Sequence, residues 1–221
     1  MRRKRRDHAR ENRLTGDLLK DVPIPFSLSK NERDRRGLPI PFIIYRDENG
    51  TPHFTVDDRQ TVNMVLAKKL CGLCGKPLKL GQMWFVAGPV TAFHEEGLSI
   101  EPHGHEECLR YAVQVCAFLA APNYARRIED KTLKPEAVHI GAQVGKSHIP
   151  PPRPIFFALA RTSGIKIIDA GDGSDVKYIQ PRRPWKYVEF WKHGEPITLA
   201  EATRLAEASD NPPSALKWWP A

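Results

Sequence analysis

No apolar run in the 221 residues approaches the roughly 20 that a membrane-spanning helix needs, which excludes a helical membrane protein. The charged opening, Met1-Arg2-Arg3-Lys4-Arg5-Arg6, leads into no apolar stretch and does not read as a secretory signal. The expected location is therefore the cytoplasm, or a virion if the chain is phage-encoded. Cysteine is scarce, with four in the chain. In a reducing compartment these are expected as thiols or metal ligands, not as disulfides. Long regular elements are not expected either, because twenty prolines cut them short. What is plentiful is apolar side chain. At 41% it supports a real core, on a length that fits one large domain or two small ones.

The net charge of +8 is unevenly placed. Residues 1–13 carry seven Lys/Arg and two acids, which accounts for +5 and leaves +3 for everything after them. A body of that charge is ordinary and gives no strong nucleic-acid signal. The basic arm is a candidate contact for phosphate or for an acidic partner. The plainer reading is a solvated terminal run.

Residues 22–26, Val-Pro-Ile-Pro-Phe, place proline at alternate positions and favour extended backbone. Residues 1–36 as a whole read as a basic arm draped over the body. Residues 39–46 and 51–56 are strand-like around Asp47-Glu48-Asn49-Gly50, the clearest hairpin in the chain. Asp57 or Asp58 caps a helix over about 59–69, with Val62, Val65, Leu66 and Leu70 on helical spacing. Residues 83–87 and 91–93 suggest a second hairpin about Gly88-Pro89. A helix over about 105–120 has Leu109, Ala112, Val113, Cys116 and Leu119 on its apolar face. After a proline-rich linker, strands are expected at 155–160, 165–168 and 185–191. Thr198 and Glu201 form a capping box that opens a helix over about 199–208.

The cysteine spacing carries the sharpest signal. Cys71 and Cys74, separated by two residues and each followed by a glycine, Gly72 and Gly75, lie in a turn tight enough to aim both sulfurs at one point. His105 and Cys108 follow at a helix start, where an i, i+3 spacing puts both side chains on one face. Three cysteines and one histidine satisfy tetrahedral zinc with no water left over. A redox Cys-x2-Cys would open a helix after a strand, whereas this pair follows a helix. His103 and His94 compete with His105 for the fourth place. Cys116 does not compete. Eight residues along a helix from Cys108 is about 12 Å of rise, too far for two ligands of one ion, and a small buried thiol suits its place on the apolar face.

Knuckle, hairpin and a helix carrying the second ligand pair resemble the treble-clef zinc fold over about residues 70–120. Together with residues 39–56 and the stretch Trp-Lys-His-Gly-Glu-Pro-Ile-Thr at 191–198, this region is similar to an uncharacterised family of bacterial and phage zinc proteins. The likeness implies the same ligand set and no reaction.

Enzymatic readings fare poorly. A nuclease of the HNH type, which treble clefs can host, needs a His base together with Asn and a further His around a catalytic metal. His94 is a candidate base, but the helix after Cys108 offers neither His nor Asn before Asn123. The stretch Gly141-Ala142-Gln143-Val144-Gly145-Lys146-Ser147 is one residue short of a phosphate loop and is followed by prolines at 150–152, so nucleotide binding is not expected. Asp169, Asp172 and Asp175 fall at the wrong spacing for a calcium loop.

Binding surfaces are more suggestive. Arg182, Arg183, Trp185, Lys186, Tyr187, Trp191 and Lys192 combine cations with aromatic rings, which can pair phosphates and stack bases. On a strand, Trp185, Tyr187 and Trp191 share one face. The competing reading packs that face under the 199–208 helix. Trp218 and Trp219 are expected to dock on the body or on a partner.

The expected fold class is therefore α+β. It comprises a treble-clef-like zinc domain (37–122, hairpin, helix, zinc knuckle, hairpin, helix) and a small C-terminal sheet-and-helix unit (154–221). A basic arm (1–36) and a proline-rich linker (123–153) complete the chain. The expected function is non-enzymatic, zinc-stabilised binding. Nucleic acid is the leading partner, contacted by the arm and by Arg182, Arg183, Trp185, Lys186 and Lys192. A protein-interaction or assembly module is the alternative.

Overall fold

The computed structural model describes residues 22–79, 81–93, 97–99, 101–120, 154–169 and 176–208. The fold is mixed α and β. At the N-terminal side, a 3-10 turn at Phe26–Leu28 inserts Leu28 into the core. The expected hairpin follows as β1, Ile44–Arg46, and β2, Pro52–Asp57, paired antiparallel. Its turn is held by Asp47, whose Oδ1 accepts from the N–H groups of Asn49 and Thr51, each at 2.9 Å. Helix α1, Arg59–Lys68, is capped by the Asp58 side chain, which accepts from the Thr61 N–H at 2.7 Å. Val62, Val65 and Leu66 form its buried face.

The centre of the molecule is a four-stranded antiparallel sheet. It contains β3, Met83–Ala87, β4, Phe157–Thr162, β7, Tyr187–Lys192, and β8, Glu195–Ile197, in the order β3-β4-β7-β8. Every residue of β3 is buried, so this strand is covered on both faces. On one face Phe85, Ala158, Ala160 and Phe190 pack with Phe93, Trp185, Ala202 and Ala206. These come from α2, Pro89–Phe93, from the loop before β7, and from α5, Leu199–Glu207. On the other face Trp84, Val86, Phe157, Leu159 and Trp191 pack with Leu109 and Val113 of α3, Glu106–Val115. Phe118 and Leu119 of the short α4, Ala117–Ala120, close that side. A separate hairpin of β5, Ile165–Asp169, and β6, Lys177–Pro181, lays Ile179 against Val62, Val65 and Leu66 of α1. The central sheet thus takes strands from both sides of residues 121–153.

Three local expectations are corrected. Residues 91–93 are not a return strand, because Pro89 opens the short helix α2 there. Proline suits a first helical position, and β3 finds its partner in the distant β4 instead. The helix expected over 105–120 breaks at Cys116, whose backbone is extended. The Cys116 carbonyl accepts from the N–H groups of Leu119 and Ala120, starting α4 on a new axis that brings Phe118 against Phe157. Trp185 lies before β7 rather than on it. Its ring meets Phe85 edge-on at 4.8 Å, on the face opposite Trp191.

Trp185 is 1% exposed. Trp185→Ala is expected to lower the unfolding free energy by about 3–5 kcal/mol, the usual cost of emptying a large aromatic site. Chemical denaturation measures it, and a change within about 0.5 kcal/mol, the range of ordinary surface substitutions, would remove this ring from the core.

Candidate metal centre

Four side chains from two places in the chain meet at one point. Cys71 and Cys74 lie in the turn after α1, His105 is the N-cap of α3, and Cys108 is in that helix's first turn. Their donor atoms all lie within 4.8 Å of one another. The backbone brings the two pairs together. The Gly72 N–H donates to the His103 carbonyl at 3.1 Å, while Trp84 of β3 and Gly104 exchange two bonds at 3.1 and 2.8 Å. The knuckle closes on itself through Cys71 N–H to the Lys76 carbonyl and Gly75 N–H to the Cys71 carbonyl, both at 2.8 Å. Two glycines make room for this. Gly75 has φ +69°, and a Cβ at Gly104 would lie 3.2 Å from Cys71 Sγ and 3.1 Å from Leu109 Cγ.

The donor set fits one metal ion. His105 turns Nδ1 toward the sulfurs, 3.3 Å from Cys74 Sγ and 3.9 Å from Cys108 Sγ. Its Nε2 lies 3.2 Å from the Pro77 carbonyl, which can only accept, so the proton sits on Nε2 and the Nδ1 lone pair faces the centre. Each sulfur also has a hydrogen-bond partner in the surrounding protein. The His105 N–H reaches Cys71 Sγ at 3.5 Å and the Cys74 N–H bonds the same sulfur. The Lys76 N–H bonds Cys74, and the Ser27 hydroxyl lies 3.1 Å from Cys108 Sγ. Hydrogen bonds from Cys108 and then Cys74 hold the Cys71 thiol far below its usual range. The same contacts push Cys108 far above it. Three sulfurs this close therefore cannot all ionise unless a cation shares their charge. This is the electrostatics of a thiolate metal site.

His105, not His103, joins the cluster. His103 is fully buried two residues earlier, with neither ring nitrogen hydrogen-bonded. Burial lowers it to about 4, so it is a neutral core histidine. Cys116 stays outside the cluster, and burial pushes its thiol up. His94, residues 141–147, residues 170–175 and Trp218 with Trp219 lie outside the described residues, as does the arm through residue 21.

The cation and aromatic side chains expected to contact nucleic acid differ in exposure. Arg182 and Lys186 are exposed and Lys192 is half-buried. Trp185 is in the core. The Arg183 guanidinium lies 4.0 Å from the Trp185 ring centroid, and its Nη2 donates to the Thr91 carbonyl at 3.1 Å. The strand pattern missed this because it assumed regular alternation from residue 185, two residues before β7 begins. It also missed Ser27 and the Pro77 carbonyl, which support the site from positions that no spacing rule connects to it.

No family model, curated protein or solved structure matches this chain.

His105→Ala is expected to bring metal content, measured by plasma emission spectroscopy on the purified chain, well below one ion per chain. His103→Ala and Cys116→Ser are expected to leave it unchanged. Loss of the ion in His103→Ala with retention in His105→Ala would reverse the ligand assignment.

Proposed function

We propose that this chain is a zinc-stabilised, non-enzymatic binding protein. Cys71, Cys74, His105 and Cys108 hold a single structural zinc, and the contact surfaces lie elsewhere. The observation that carries this reading is the completeness of the donor set: three sulfurs and one nitrogen within 4.8 Å of one another, with an N–H or O–H hydrogen-bond partner at each sulfur. A catalytic zinc keeps a position for water, whereas four protein ligands leave none. The knuckle and the ligand-bearing helix α3 support the treble-clef likeness over residues 70–120, in which β3 and the short helix α2 stand where the expected hairpin would be.

The partner reading favoured here is nucleic acid, contacted through its phosphates. Burial of Trp185 takes away the ring best placed for base stacking. What supports the reading is charge: the seven Lys/Arg of residues 1–13, and the exposed Arg182 and Lys186. Contacts of this kind position a protein on a nucleic acid without reading its sequence. A protein-interaction module is favoured by a different observation. Phe26 is 84% exposed and Phe42 43% exposed, with Lys76 Nζ 5.7 Å from the Phe26 ring centroid and the Phe42 ring close to Gly75.

Salt titration of binding to duplex DNA and to single-stranded RNA tests the choice. The phosphate reading expects a steep loss of affinity with salt. The slope should fall by roughly one unit for each of Arg182→Ala and Lys186→Ala, and further on removing residues 1–13. Weak binding that none of these changes alters would defeat it and leave protein interaction as the function.

A further inference from the structure

Cys71 and Cys74 accept from backbone N–H groups within the site, whereas Cys108 Sγ shares its hydrogen bond with a side chain 81 residues away in sequence, and either atom of that pair can donate. The Ser27 hydroxyl and Cys108 Sγ are buried together at 3.1 Å. The segment that carries Ser27 is fastened around the same point. Lys76 Nζ, from the knuckle, donates to the Ser27 carbonyl at 2.8 Å. Asn31 Nδ2 donates to the carbonyls of Leu73 and Ile40, each at 2.8 Å. Leu28 is 2% exposed and packs with Cys71, Cys108, Tyr111 and Val115. Residues 22–31 therefore form one wall of the centre, supplying a polar contact to one ligand and an apolar cover to two.

We propose that Ser27 is a positioning residue of the metal site, donating to the Cys108 thiolate, and that metal binding thereby fastens residues 22–31 onto the knuckle and α3. The proposal rests on the reading of the four-residue cluster as a metal site. Its physical basis is the change in what Cys108 can do. A metal-bound thiolate carries no proton, so the serine hydroxyl must donate and the bond is charge-assisted. A protonated thiol is only a weak donor and a weak acceptor, so the same pair contributes less. The docked segment thus interacts more strongly with the metal-loaded centre than with the metal-free one. Linkage makes the effect reciprocal: metal tightens the segment, and the docked segment tightens the metal.

The test uses the full chain with Ser27→Ala, Ser27→Thr and Ser27→Val. Thr and Val have nearly the same shape and differ in the hydroxyl, so their comparison holds even if the alanine variant folds poorly. Zinc affinity is measured by competition with a chromophoric chelator. Ser27→Ala and Ser27→Val are expected to bind about 10–100-fold more weakly, the usual effect of removing an outer-shell partner, and Ser27→Thr close to wild type. In the cobalt-substituted chain the sulfur-to-metal charge-transfer band is expected to shift in Val and Ala and to return in Thr, a response that packing alone does not produce. Hydrogen exchange over residues 22–31 is expected to be slow with zinc and fast after chelation in the wild type, and fast with zinc still bound in Ser27→Val. If wild type binds zinc tightly while Thr and Val match it in affinity, spectrum and exchange, the proposal for Ser27 is overturned and the metal site stands. If wild type binds no zinc, the metal reading itself fails.

Discussion

Three sulfurs and an imidazole nitrogen within 4.8 Å of one another make a demand that much of the surrounding structure answers. Neutral thiols at that distance would be a small polar cluster of little consequence. Thiolates would repel strongly, and Cys71 and Cys108 are indeed driven apart in acidity, one far down and one far up. A divalent cation removes the conflict and converts the cluster into a cross-link between the turn after α1 and the start of α3. That link matters because α3 packs on one face of the central sheet, with Leu109 and Val113 against Trp84, Val86 and Leu159. The knuckle also carries Leu73 and Leu78, which join the core around Leu28 and Tyr111. A metal bound at this site would make knuckle, helix and sheet face one mechanical unit.

The polar contacts at the rim follow from the same demand. Arg110 of α3 reaches Glu189 of β7 at 2.6 Å and Glu106 in its own helix at 2.9 Å, tying the helix to the sheet on its open side. These side chains are partly exposed, so the pairs contribute little energy. His105 is set by Pro77. A ligand whose tautomer and ring plane are fixed beforehand loses less freedom on binding.

What was legible in the sequence was local. The hairpin about Asp47 to Gly50 was readable because its turn residues act on their immediate neighbours. The caps at Asp58 and Thr198 were readable for the same reason. The four ligands emerged from spacing, since a two-residue gap in a glycine turn and an i, i+3 pair at a helix start each fix local geometry. His105 and His103 stayed in competition because the choice depends on which ring faces the knuckle, a tertiary matter. The rest was illegible for the same cause. Pairing of β3 with β4 joins residues about seventy apart, and no local pattern announces it. Trp185 was misplaced because alternation assumes a strand, and the chain turns its ring to the opposite face before β7 begins. Ser27 sits in a segment whose prolines and charges gave no hint of a buried hydroxyl.

One zinc ion held by three sulfurs and one nitrogen, on which the fold depends, can be seen by X-ray absorption at the zinc edge of the purified full chain. Three sulfur neighbours at about 2.3 Å and one nitrogen at about 2.0 Å are expected, with no coordinated water. A metal-free chain that is fully folded, or a zinc shell of light atoms without sulfur, would contradict this.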